Sequence, residues 1–154
     1  MTAQKKRLLL VLVLCIAAAC IALVLFFRSR PRPLMDPSLD WQVYWVAYQV
    51  DGEAMEVAGY DQSALLSALW DSQVRPTRSR VGATHWTGVE LSVWMVAADK
   101  PSEYRRIFFT DEGSYVEGMG ERKYAFLNSE EVKAALIAAL TPCVDDPANL
   151  QPVF

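Results

Sequence analysis

The 154-residue chain has one histidine, three cysteines and no acidic residue before Asp36. Each shortage removes a class of function. A lone His85 cannot supply the His-x-x-x-His pair of a helix-borne zinc site. Cys15 and Cys20 lie inside an apolar run and Cys143 stands alone beyond it, so no disulfide framework or thiolate metal site can be assembled. Cys143 reads as a buried or idle thiol, with an intermolecular disulfide as its other use. No Gly-x-Ser-x-Gly elbow accompanies His85. The "GMG" at Gly118 to Gly120 lacks a third glycine and a strand-to-helix setting, so it reads as a turn with positive φ and not as a phosphate cradle. "TDEGSYVE" lacks the ligand spacing of an EF-hand. There is no internal repeat.

What the sequence does have is a long apolar run. Leu8 to Phe27 is twenty residues without a polar side chain, about 30 Å of helix, the thickness of a hydrocarbon core. Ala17-Ala18-Ala19 offers a cleavage-like site and Cys20 a lipidation-like one. Either cut would leave a greasy remainder from Ile21 to Phe27, so the run is expected to stay as an anchor. Lys5, Lys6 and Arg7 precede it and Arg28, Arg30 and Arg32 follow it, a tie under the positive-inside rule. The free amino terminus tips the balance toward a short cytoplasmic tail, residues 1–7, with the body outside the cytoplasm. Ala18 with Ala22 and Cys15 with Ala19 are small-xxx-small pairs. Arg28 to Asp40, with Pro31, Pro33 and Pro37, reads as a semi-rigid stalk whose arginines can hold anionic headgroups.

Without the run the apolar share falls from 53% to roughly 46%, ordinary for a soluble domain. The body from Asp36 carries nine of the fifteen basic residues and all eighteen acidic ones, a net charge of about −9. A field of that sign repels phosphate backbones, which excludes a nucleic-acid partner.

"WQVYWVAYQVDGEAMEV" reads as a hairpin turning at Asp51-Gly52, with a short second strand over Glu53 to Val57. Asp61 caps a helix, "QSALLSALWDS", with Leu65, Leu66, Leu69 and Trp70 on one face. "QVRPTRSRVGATHWTG" reads as a long loop. "GVELSVWMVAA" alternates as a strand, with Val89, Leu91, Val93, Met95 and Ala97 on one face and Glu90, Ser92 and Trp94 on the other. After the turn "DKPSE" come the strands "YRRIFFT", "SYVEG" and "RKYAFL". Asn128 and Glu131 form a capping-box-like start to a last helix that ends at Thr141-Pro142. The tail from residue 141 to 154 reads as irregular. This order predicts an α+β fold over residues 41–140, an antiparallel sheet with two helices on one face, preceded by one transmembrane helix.

Over Trp41 to Leu140 the Asp51-Gly52 hairpin comes first, then a helix running into Arg75-Pro76-Thr77, and then strands bearing Val93 and Ile107. Tyr115, Tyr124 and a final helix from Ser129 complete the series. That layout resembles the small extracytoplasmic domains of unknown function in Gram-positive membrane-anchored proteins and lipoproteins. The resemblance implies an envelope location and carries over no catalytic residue.

Two groups suit binding. Arg75, Arg78 and Arg80 form a local positive patch on the acidic body, fit for an anionic lipid, a wall polymer or an acidic protein surface. Trp86 and Trp94 suit a stacking platform for a sugar or peptide. The expected function is therefore binding or protein interaction in the envelope, with no catalytic residue, cofactor or metal ligand assigned. The rival is a hydrolase using carboxylate pairs, Glu53 with Glu56 or Asp111 with Glu112, or His85.

Overall fold

The computed structural model describes residues 3–82 and 88–153. They divide into two compact units, Met1–Arg30 and Pro31–Phe154.

The first unit is helix α1, Ala3–Ser29. It has no internal Pro or Gly, and Pro31 stands just beyond its end. Within it Arg7–Ser29 has a mean hydropathy of 3.4 and is long and apolar enough to cross a membrane. Its large apolar side chains, Leu8 to Phe27, are all exposed. In water they would be a very large unpartnered apolar surface; in lipid the helix satisfies its own backbone and the side chains meet acyl chains. At its end the Arg30 guanidinium lies 4.6 Å from the Phe26 ring centroid and 4.8 Å from that of Phe27.

The second unit is α+β. A nine-stranded antiparallel sheet runs in the order β1-β4-β8-β7-β6-β5-β2-β3-β9. In chain order the strands are β1 (Arg32–Pro33), β2 (Trp41–Val50), β3 (Glu53–Val57), β4 (Gln73–Arg80), β5 (Val89–Ala97), β6 (Lys100–Thr110), β7 (Gly113–Glu117), β8 (Arg122–Phe126) and β9 (Leu150–Pro152). Helices α2 (Gln62–Trp70) and α3 (Ser129–Val144) pack on one face. There Leu65, Leu69, Val132, Leu136 and Leu140 meet Val46, Leu91, Val93, Met95, Ile107 and Phe109 in one core. The β2–β3 hairpin turns where expected, with φ of 52° at Asp51 and 87° at Gly52. Asp61 caps α2 by accepting from the backbone N–H groups of Ser63 and Ala64.

Several expectations need correction. The segment read as a loop after α2 begins with strand β4, paired with β8. It has little apolar alternation because only Val74 of the strand is buried. The segment read as a stalk is in its second half part of the body. Arg32 and Pro33 pair with Val74 and Gln73, and Leu34 and Met35 are core residues, 0% and 2% exposed. Strand β6 starts at Lys100, inside the expected "DKPSE" turn. Helix α3 continues through Pro142 to Val144, with Cys143 buried beneath its last turn. The tail is ordered too, since β9 pairs with β3. Asn128 makes no side-chain cap; its amide donates to Glu131 Oε2 at 3.2 Å instead. Trp70 is 47% exposed and not on the buried face of α2. Glu90 sits where the β5–β6 register shifts, and it pairs with Lys133 on α3.

Candidate functional site

Period-2 alternation places a second set of side chains on the sheet face opposite the helices. Trp45 of β2 stands opposite Trp94 of β5. Trp94 stands opposite Arg106 of β6, and Arg106 opposite Glu117 of β7. One residue pair further along, Ser92, Phe108 and Tyr115 share a rung. The rings form a continuous row. Centroids are 6.1 Å apart for Tyr44–Trp94, 4.7 Å for Trp45–Trp94, 6.5 Å for Trp94–Phe108 and 4.7 Å for the stacked pair Phe108–Tyr115. The Trp94 indole N–H donates to Ser92 Oγ at 2.9 Å, and that hydroxyl donates to the Ile107 carbonyl at 3.1 Å. This fixes the indole in the row.

Charges are set among the rings. The Arg106 guanidinium lies 4.6 Å from the Trp94 centroid and 5.5 Å from that of Tyr104. Lys123 Nζ lies 3.8 Å from the Tyr115 centroid and 3.7 Å from Glu117 Oε1. Glu117 is 2% exposed, and its Oε1 accepts no hydrogen bond. The contact with Lys123 is therefore a Coulombic one at long range, without the bond that would satisfy the oxygen. Burial first and the Glu117 charge second push the Tyr115 hydroxyl above the ordinary tyrosine pKa.

Two clefts open beside this row. One, of about 350 Å³, is lined by Tyr44, Val96, Pro101, Tyr104 and Arg106. Tyr44 and Tyr104 are 50% and 39% exposed. The other, of about 600 Å³, lies at the β6–β7 turn and collects Arg80, Lys123, Asp111 and Glu112 with the hydroxyls of Thr77, Ser79, Thr110 and Ser114.

The residues singled out in the sequence are only partly brought together. Arg75, Arg78 and Arg80 are exposed on strand β4, not on a loop. Arg80 stands opposite Arg122 in the β4–β8 ladder, and neither makes an ion pair among the described residues. Like charges side by side on a ladder repel, so the positive patch is held there by the fold. Trp94 is in the aromatic row, whereas Trp86 and His85 lie outside the described residues. Glu53 and Glu56, three apart on β3, point to opposite faces and form no pair. Asp111 and Glu112 both line the larger cleft, on an exposed turn. Among the described residues no three His, Cys, Asp or Glu side chains gather as metal ligands.

Sequence reasoning missed Arg106, Tyr44 and Tyr104. The signal was available in "YRRIFFT": neighbouring arginines on a strand must face opposite ways. Arg105 goes to the core side, where it is 7% exposed. Its Nε–H donates to the Leu34 carbonyl at 2.9 Å, and its Nη1 donates to the Tyr104 and Gly118 carbonyls. Burial lowers its pKa from the ordinary arginine value, opposed chiefly by the Glu103 carboxylate.

No protein-family model, curated protein or solved structure matches this chain.

Proposed function

We propose that this is a single-span protein of the bacterial envelope whose body stands outside the cytoplasm and works by binding, with the helix-free face of the sheet as its recognition surface. The observation that carries the reading is the exposed pair Tyr44 and Tyr104 beside Arg106, whose guanidinium lies against the rings of Trp94 and Tyr104. Aromatic side chains with arginine are the groups that concentrate binding energy at recognition surfaces. Arg80 and Lys123, which line the larger cleft with Tyr115, extend the surface toward anionic envelope polymers or an acidic protein. The α1 helix supplies the address. The resemblance to envelope-located domains points the same way.

A photo-crosslinking amino acid placed at Tyr44 should give adducts in intact cells, whereas the same probe at Trp70, exposed on the helix side, should give few. Adducts at 70 and none at 44 would refute this choice of face. The hydrolase reading has in its favour that Asp111 and Glu112 both line the larger cleft. Replacing His85, Asp111 and Glu112 together with Ala should leave function in a cell-wall integrity assay unchanged; loss of function would favour the hydrolase.

A further inference from the structure

Arg106 differs from the other arginines of the body. It is half-buried, with its guanidinium between the rings of Trp94 and Tyr104. Its Nε is buried and has no hydrogen-bond partner. Glu117 stands directly opposite it in the ladder, yet that carboxylate lies against Lys123. Among the described residues no acid comes within ion-pair distance of Arg106. A guanidinium held between rings has already lost much of its rotamer freedom and part of its hydration. It therefore pairs with an arriving oxyanion at small further cost.

The cleft that Arg106 lines holds about 350 Å³, near the lower end of the range for small-ligand sites and enough for one ring-sized molecule. Its walls, Tyr44, Val96, Pro101 and Tyr104, are apolar surfaces tipped by two phenol hydroxyls. Flat rings with hydroxyl edges suit a saturated ring that is apolar on its faces and polar at its rim. The net charge of about −9 on the body weighs little on a single carboxylate. Together these point to one ligand chemistry.

Resting on the binding face argued above, we propose that the Tyr44–Tyr104–Arg106 cleft binds a six-membered sugar ring carrying one carboxylate. The carboxylate pairs with Arg106 and the ring stacks on tyrosine. The test uses the full chain in phosphatidylcholine nanodiscs, titrated by calorimetry with glucuronate, glucose and acetate. Glucuronate should bind at least about tenfold more tightly than either control, which corresponds to about 1.4 kcal/mol from each of the sugar and carboxylate contacts. Arg106→Lys, which keeps the charge and loses the planar fork, should weaken glucuronate at least about tenfold. Tyr44→Ala, at a half-exposed position, should weaken it with an unchanged Tm. Glucose binding as well as glucuronate overturns the role of Arg106, and acetate binding as well overturns the sugar. Should Arg106→Lys fail to fold, full-strength binding by Tyr44→Ala still refutes the site. A polypeptide crosslink at position 44 without glucuronate binding refutes the sugar and leaves the binding face standing. Absence of both refutes the two together.

Discussion

Asp61 shows how much one side chain can hold. Its carboxylate accepts from Ser63 N–H at 2.9 Å, Ser63 Oγ–H at 2.7 Å and Ala64 N–H at 3.3 Å. The Ser63 hydroxyl first, and then the two amides, hold it below the usual carboxylate range. The unfolded chain thus takes up this proton at a higher pH than the folded one does. The stabilisation is complete above about pH 4 and fades as the pH falls through the depressed folded value. Asp61→Ala should lower the midpoint of denaturant unfolding at pH 7. Asp61→Asn should retain most of the cap while flattening the loss of stability on acidification below about pH 4. At Gly118 the constraint is steric. Its φ is +92° and a Cβ there would lie 2.3 Å from the Tyr104 carbonyl oxygen. Gly118→Ala should therefore destabilise the body by more than about 2 kcal/mol, and an unchanged urea midpoint would contradict this close approach. The same carbonyl accepts from Arg105, so the clash would also disturb that side chain and its bonds to the Leu34 and Gly118 carbonyls.

At the scale of elements, strands with a buried face were readable from the sequence because alternation and hydrophobicity agree in them. The β2–β3 hairpin, β5 and the strands at Gly113–Glu117 and Arg122–Phe126 all lie where expected. Strand β4 was not readable: it lies next to the edge strand, so one buried valine suffices, and "RPTRSR" looks like loop. Its polar character still has a physical meaning. Pro76 has no N–H to offer a neighbouring chain, the register shifts between Pro76 and Arg80, and three arginines discourage pairing with a second copy. Strand β1, two residues with Pro33, and strand β9, three residues ending in Pro152, close the two sides in the same way. The first residues of the body were misread because Leu34 and Met35 are too short an apolar stretch to register as core. They are held by contacts from far along the chain. Arg105 Nε–H donates to the Leu34 carbonyl, Leu34 N–H to the Ser72 carbonyl at 2.9 Å, and Trp41 Nε1–H to the Asp36 carbonyl at 3.0 Å. Arg105→Ala should speed amide exchange at Leu34 by at least about tenfold while the β5–β6 amides stay protected, a local opening distinct from global unfolding. Equal acceleration in both would mean that the segment is no separate latch. The candidate site was legible only in part for a related reason. Trp94 announces itself by residue type, but Arg106 gains its meaning from Trp94 and Tyr104 on its own and a neighbouring strand, and that juxtaposition is set by register.

For the whole molecule, the sequence divides cleanly into an apolar helix and an acidic body. The helix exposes all its large apolar side chains and is long and apolar enough to cross a membrane. The body buries one contiguous core and, Arg105 and Glu117 apart, carries its charge on the outside. Binding by the aromatic face to an envelope component requires that the body lie on the side of the membrane where that component is found. Cys143 is 7% exposed beneath α3, so it is silent to thiol reagents on either side of the membrane, and a reporter has to be introduced. Leu127, 49% exposed between β8 and α3, is suited to carry it. A membrane-impermeant maleimide applied to intact, wall-stripped cells expressing Leu127→Cys should label the protein as fully as it does after permeabilisation. Labelling only after permeabilisation would place the body in the cytoplasm, and labelled protein released into the medium without its apolar helix would show that no anchor is retained.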